Sequence, residues 1–271
     1  ACRLELQSGD AARVAAATAG WISKVEQWEQ ASEQERREAK QKRSRGLLRD
    51  LGGIVFEHPD DIEAKALLAV EIWHAWDWGQ GVPIPSHTAV DALLDQVFAK
   101  APQHPAHHYR IHLWDAEDAR RALASAAKIG ASAPGIAHQW HMAGHIYAKL
   151  HRHAAAEWQQ EASARVDHAH LLRDCVMPFL IHNYGHNQEW LARSRSYLGD
   201  VHGALAVAKD LARLPRHPRH NDPGDEESIA HDARRRLVSV CEDHELWQQA
   251  VELERTGYLD AGGPVLFEAQ R

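Results

Sequence analysis

Between Gly135 and Val166 the apolar residues fall at helical spacing, break once, and resume. Ile136, Trp140, Ala143, Tyr147 and Leu150 precede the short segment His151-Arg152-His153, and Ala154, Ala155, Trp158 and Ala162 follow it. Side chains recurring every three or four positions line one face of an α-helix, and so short a break leaves room only for a turn. The segment therefore predicts two antiparallel helices. The same pattern returns over residues 178–214: a long helix ending at Tyr197-Leu198, the turn Gly199-Asp200, a second apolar stripe of Ala204, Leu205, Ala208 and Leu211, and a stop at Pro215. Glycine at a helix end and aspartate opening the next helix form the expected pair of caps. The 271 residues are 44% apolar and 25% charged, enough to bury a core and too apolar for a disordered chain. An all-α fold built from helical hairpins follows.

This pattern resembles the tetratricopeptide repeat (TPR), a helix-turn-helix unit of about 34 residues with Gly and Tyr in its first helix and small residues in its second. The matching residues are Gly144, Tyr147, Leu150 and Ala156 in one unit and Leu198, Gly199, Ala204, Ala208 and Pro215 in the next. An upstream unit fits with Tyr109 to Trp114 as its first helix and Ala119, Ala122, Leu123 and Ala126 in its second, ending near Pro134. The resemblance is best over 105–215 and looser over 24–56 paired with 60–78 and over 228–256. It implies one antiparallel hairpin solenoid over 1–271, with the first helices lining a concave groove that takes a peptide or small molecule. Leu4 to Asp10 and the Ala-rich run from Ala11 to Ala19 repeat the Leu, Gly-Asp, Ala-helix order of Leu198 to Leu211. The chain thus opens halfway through a hairpin, the expectation for a fragment of a longer protein with a further domain.

Other segments carry less. Residues 24–45 mix both charge signs densely and read as a solvated helix face laced with i,i+4 pairs. Residues 214–228, with three prolines and a glycine, read as a loop. The net charge of −7 argues against a nucleic acid partner. No apolar stretch approaches the ~18 residues needed to cross a bilayer. Cys2, Cys175 and Cys241 are far apart and show no CxxC pair, so neither a thiolate zinc site nor a disulfide framework is indicated.

Histidine is the unusual residue: there are 21, beside 10 Trp and only 4 Phe. Four pairs lie four residues apart: His104/His108, His108/His112, His141/His145 and His182/His186. Random placement would give roughly one or two such pairs. Residues i and i+4 share a helix face about 6 Å apart, so two imidazoles can reach one metal ion. The pairs 108/112, 141/145 and 182/186 each fall on the first helix of an expected hairpin. His108 and His141 are 33 residues apart, about one repeat, and His141 and His182 are 41 apart, a repeat plus two helical turns. All three pairs should then face one groove, where six imidazoles can hold one metal ion or two ions of three ligands each. His138, one turn before His141, is a seventh candidate.

Glu71, one turn from His74 in a segment with Trp73, Trp76 and Trp78, is the best carboxylate to join or bridge such a site. Helix packing is the expected role of those tryptophans. Tyr109 and Arg110 are candidate substrate-orienting groups, and Tyr147, Asn183 and Asn187 candidate hydrogen-bond supports. Asp167, His168, His170 and Asp174 form a polar cluster expected to face away on a second helix. His151, His153, His202, His217, His220, His231 and His244 read as turn or surface residues. No HExxH, GxSxG, Walker loop or dinucleotide fingerprint occurs. An all-imidazole donor set favours copper, with iron or zinc as alternatives. Two sets of three histidines are similar, in ligand number alone, to the coupled dicopper centres of tyrosinase and haemocyanin. The resulting expectation is a copper or iron oxidase or oxygenase acting on an organic or peptidyl substrate; zinc would give a hydrolase. The alternatives are a TPR-like peptide-binding module without catalysis and a metal storage or delivery protein.

Overall fold

A computed structural model of the chain describes residues 11–77, 82–84, 86–217, 219 and 228–259. Leu4 to Asp10, Trp78, His220 and most of the loop over 214–228 lie outside them. Among the described residues the regular structure is entirely helical. The chain divides into two compact units, Ala1–Leu93 and Leu94–Arg271.

The first unit contains α1 (Ala11–Gln30), α2 (Glu33–Glu57) and α3 (Ile62–Asp77), and α2 packs on α3. The charged stretch over 24–45 is not one helix. Ser32 stops α1 from running on by capping α2: its hydroxyl accepts from the Glu35 amide while the Glu35 carboxylate accepts from the Ser32 amide. On α3, Trp73 is buried as helix packing requires, whereas Trp76 is exposed.

The division between the units falls within α4 (His87–Lys100). The second unit continues with α5 (His107–Asp115), a 3-10 turn (Ala119–Ala122), α6 (Leu123–Ser132), α7 (Ala137–Lys149), α8 (His153–Asp174), a second 3-10 turn (Pro178–Leu180), α9 (His182–Tyr197), α10 (Val201–Arg213), α11 (Ile229–Asp243) and α12 (Trp247–Arg255). From α5 onward each helix packs on the next, and α5 also touches α7, α7 touches α9, and α9 touches α11. Short turns enforce this order. His151, at a positive φ of 57°, reverses the chain between α7 and α8. Gly199 at φ 81° does so between α9 and α10, where a side-chain Cβ would be strained, and the Asp200 carboxylate then accepts from the Gly203 amide. Ala192, Ala204, Leu205, Ala208, Leu237, Val240, Cys241, Ala250 and Leu253 pack as one buried cluster joining α9 to α12. These small and aliphatic side chains let neighbouring helices approach closely.

The alternate contacts matter most for function. They set α7 between α5 and α9, so one face of α7 meets both helices that carry the other histidine pairs.

Candidate metal centre

His138, His141 and His145 project from successive turns of that face of α7, as positions three and four apart must. His138 joins His108 and His112 of α5: one ring nitrogen or more from each lies within 4.8 Å of the others. His141 and His145 join His186 of α9 in a second group within the same limit. The groups adjoin, with the His138 and His141 rings stacked at 5.9 Å between centroids. In each, the i,i+4 pair meets through Nε2: His108 and His112 at 2.9 Å, His141 and His145 at 2.8 Å. Two nitrogens bound at right angles to one ion at about 2.0–2.1 Å lie roughly 2.9 Å apart. Without an ion, one N–H donates to the other lone pair.

Hydrogen bonds behind the rings decide which nitrogen is available. His141 Nδ1 donates to Gln160 Oε1 at 2.8 Å and to Asn187 Oδ1 at 3.1 Å. The Asn187 amide cannot be turned over without loss, because its Nδ2 donates to the Gln160 carbonyl. His141 therefore carries its proton on Nδ1, and the Nε2 lone pair faces His145. Gln160 reaches this position because α7 has glycine at 144, where a Cβ would lie 2.2 Å from Gln160 Nε2. A parallel relay supports the first group: His138 Nδ1 donates to Asn183 Oδ1, and Asn183 Nδ2 donates to Asp167 Oδ2 at 2.6 Å. Such outer partners orient a ligating imidazole and raise its basicity.

Burial differs between the groups. His141 is 1% exposed, and His145 and His186 are half-buried. Desolvation, reinforced by the neighbouring imidazoles, pushes His141 down to about 3 and lowers His145 likewise; desolvation also lowers His186, against the opposing charge of Glu189. Neutral imidazole is the form that binds a metal ion. Asp167 is buried and its carboxyl is raised by that burial, despite the Asn183 hydrogen bond.

Of the six histidines expected from spacing, His108, His112, His141, His145 and His186 stand in the two groups, and His138 stands where His182 was expected. His182 opens α9, is exposed, and stacks on His186 at 5.5 Å without entering either group. Asn183 and Asn187 do orient histidines. Asp167 is a correction: it was expected to face away on α8, but that helix packs against α9 and turns Asp167 inward to Asn183. Tyr109 sits beside His108, ring centroids 6.0 Å apart. Arg110 points the other way, pairing with Asp95 and lying over the Phe98 ring at 4.7 Å. Glu71 belongs to the first unit, where its carboxylate stands 3.4 Å from His74 Nδ1. Two of the residues assigned to turns or the surface are engaged: His153 is half-buried beside Tyr197, and His244 hydrogen bonds Ser196 at 2.9 Å.

Gln160 and Trp190 had no signal in spacing, since each acts across a helix interface; the Trp190 ring lies 4.3 Å from that of His145. His107 is buried but structural, with Ser125 and the Pro102 carbonyl on its two nitrogens and Phe98 stacked on its ring. No family model, curated protein or solved structure matches the chain, so the helical packing and the histidine geometry stand as its own evidence.

Proposed function

We propose that the second unit is a TPR-like hairpin array whose first helices, α5, α7 and α9, carry a histidine-ligated transition-metal centre of two adjoining sites. The observation that supports it is the pair of three-imidazole groups meeting on α7, each with an outer hydrogen-bond partner that fixes a ring. The alternating helix contacts support the repeat-like arrangement. His108, His112 and His138 would hold one ion, and His141, His145 and His186 the other.

The donor set is uncharged and nitrogenous, which suits copper first and iron or zinc next, and disfavours magnesium or calcium. Three imidazoles leave a coordination position for substrate or oxygen. Copper or iron held there would supply redox chemistry, in which an organic or peptidyl substrate would lose two electrons and two protons and dioxygen would take up both to leave as hydrogen peroxide. The chain's own groups hold the imidazoles neutral, aim their Nε2 lone pairs and exclude water from His141.

Elemental analysis of protein purified without chelator or a histidine tag tests this. About two equivalents of a transition metal are expected, falling by one in the His141→Ala/His145→Ala variant while helical circular dichroism stays native. No metal, even after reconstitution with copper, iron and zinc, would leave a peptide-binding helical scaffold as the better account.

A further inference from the structure

Both α7 and α9 run on past the histidines. On α7, His141, His145 and Lys149 follow one another at four-residue steps of about 6 Å along the axis. On α9, Trp190 follows His186 by one turn, and Arg193 and Tyr197 come next. Between these ends lies a cavity of about 350 Å3, walled by Lys149, His151, His153, Trp190, Arg193 and Tyr197. Trp190 is the wall it shares with the second imidazole group.

Three properties of the cavity select a ligand. Its walls are planar: Arg193 lies over the Trp190 ring at 4.8 Å and the Tyr197 ring at 5.5 Å, and His153 stands beside Tyr197 at 4.6 Å. Its charge has one sign. Among the described residues no carboxylate lines it; Lys149 is already paired with Asp115 at 2.8 Å, whereas Arg193 forms no ion pair. The same positive surroundings, after desolvation, lower His153. Finally, a guanidinium held between rings offers a fork for a carboxylate. The volume is near the lower end of ligand pockets, room for about one ring and a short chain.

We propose that this cavity binds a small aromatic carboxylic acid, its carboxylate on Arg193 and its ring along Trp190 toward His145. One free guanidinium matches a single negative charge, and the flat walls match a ring better than a flexible chain. The site thereby names a substrate class for the metal centre proposed above, and only that assignment rests on the metal reading. His186 lies about two helical turns before Arg193 on α9, so a molecule anchored at Arg193 would point its far edge toward His145 and His186.

Calorimetric titration of the full chain with 3-phenylpropanoate, before and after metal removal with EDTA, tests the site. Saturable binding is expected in both forms. The uncharged 3-phenylpropanamide should bind about tenfold more weakly, and hexanoate, which lacks the ring, several-fold more weakly. Arg193→Gln should abolish the preference for acid over amide, and Arg193→Lys should keep most of it. Equal affinity of wild type for acid and amide, no binding of the acid at millimolar concentration, or an unchanged preference in Arg193→Gln would overturn the proposal. Because the wild-type comparison needs no variant, misfolding of Arg193→Gln leaves it decidable. Acid-selective binding by a chain that takes up no metal would keep this site and sink the metal centre; metal uptake without acid selectivity would do the reverse.

Discussion

The two imidazole groups start from one motif, a pair of histidines four residues apart plus a third from the neighbouring helix, yet they are built differently. The group on α7 and α9 has one dry ligand beside two half-buried ones: His141 is 1% exposed, held by two amides, and backed by a glycine that admits one of them. The group on α5 and α7 is half-buried, and its support runs through a single amide to Asp167. The difference comes from helix order. α7 packs most extensively on α8, whose Gln160 closes on His141 together with Asn187 of α9, while α5 is short and meets α7 far less than α8 does. The comparison teaches that i,i+4 spacing supplies the ligands, and that the packing layer behind them sets how dry and how rigid each group becomes.

The largest expected consequence is acid sensitivity located in the group on α7 and α9. Below an ordinary imidazole value of about 6.5 the unfolded chain takes up protons. His141, pushed down to about 3, and His145, lowered likewise, stay neutral in the folded chain. The unfolded state then binds more protons, so stability falls as pH drops from about 6.5 toward 3, with a slope of about one proton for each such group. Urea titrations of chelator-treated protein at a series of pH values should show this slope. His141→Gln should flatten it by about one proton. An unaltered slope would place the acid sensitivity elsewhere and remove the distinction drawn between the groups.

Gly144→Ala asks whether the rigid backing matters. The added Cβ would lie 2.2 Å from Gln160 Nε2 and 2.8 Å from its Cδ, so the carboxamide must swing off His141 Nδ1. Loss of such an outer partner lowers metal affinity by about 10–100-fold. Alanine in a helix interior regains up to about 1 kcal/mol over glycine, so thermal stability should move little while affinity falls. Competition with a chelator of known affinity would resolve the two sites. Equal weakening of both would mean that the groups act as one coupled unit.

Much of this was legible in the residues themselves. The hairpins over 135–166 and 178–214, their Gly199-Asp200 cap and the five paired histidines now in the groups follow from periodicity, because helix faces and turns are local properties. The exchange of His182 for His138 does not: which histidine of α7 or α9 completes a group depends on how far one helix slides along another. Asp167 was misplaced for the same reason, since its direction is set by the packing of α8 on α9. Gln160 and Trp190 are ordinary helix residues until a neighbouring helix is laid against them. The break at Ser32 was readable, as its capping box is written in Ser32 and Glu35. Glu71 drew notice from spacing within its own helix, a signal that carries no information on which unit it serves.

The smallest expected effect separates the groups by solvent alone. In Asn183→Ala, the His138 Nδ1 proton and the Asp167 carboxylate lose the amide that links them. His138, Asp167 and the removed side chain all line one open cavity of about 690 Å3, so water can take the amide's place. A bridging water is nearly as good as a direct hydrogen bond, and the first site should weaken by only about threefold to tenfold. Asn187→Ala removes an equivalent amide from His141, but Asn187 is fully buried. There the loss should be about tenfold larger, since a ring nitrogen and the Gln160 carbonyl give up a partner without water to replace it. Metal titration of the two variants side by side measures the ratio. Equal losses would show that burial does not grade these sites, and the contrast between the two groups would then have to rest on ligand geometry instead.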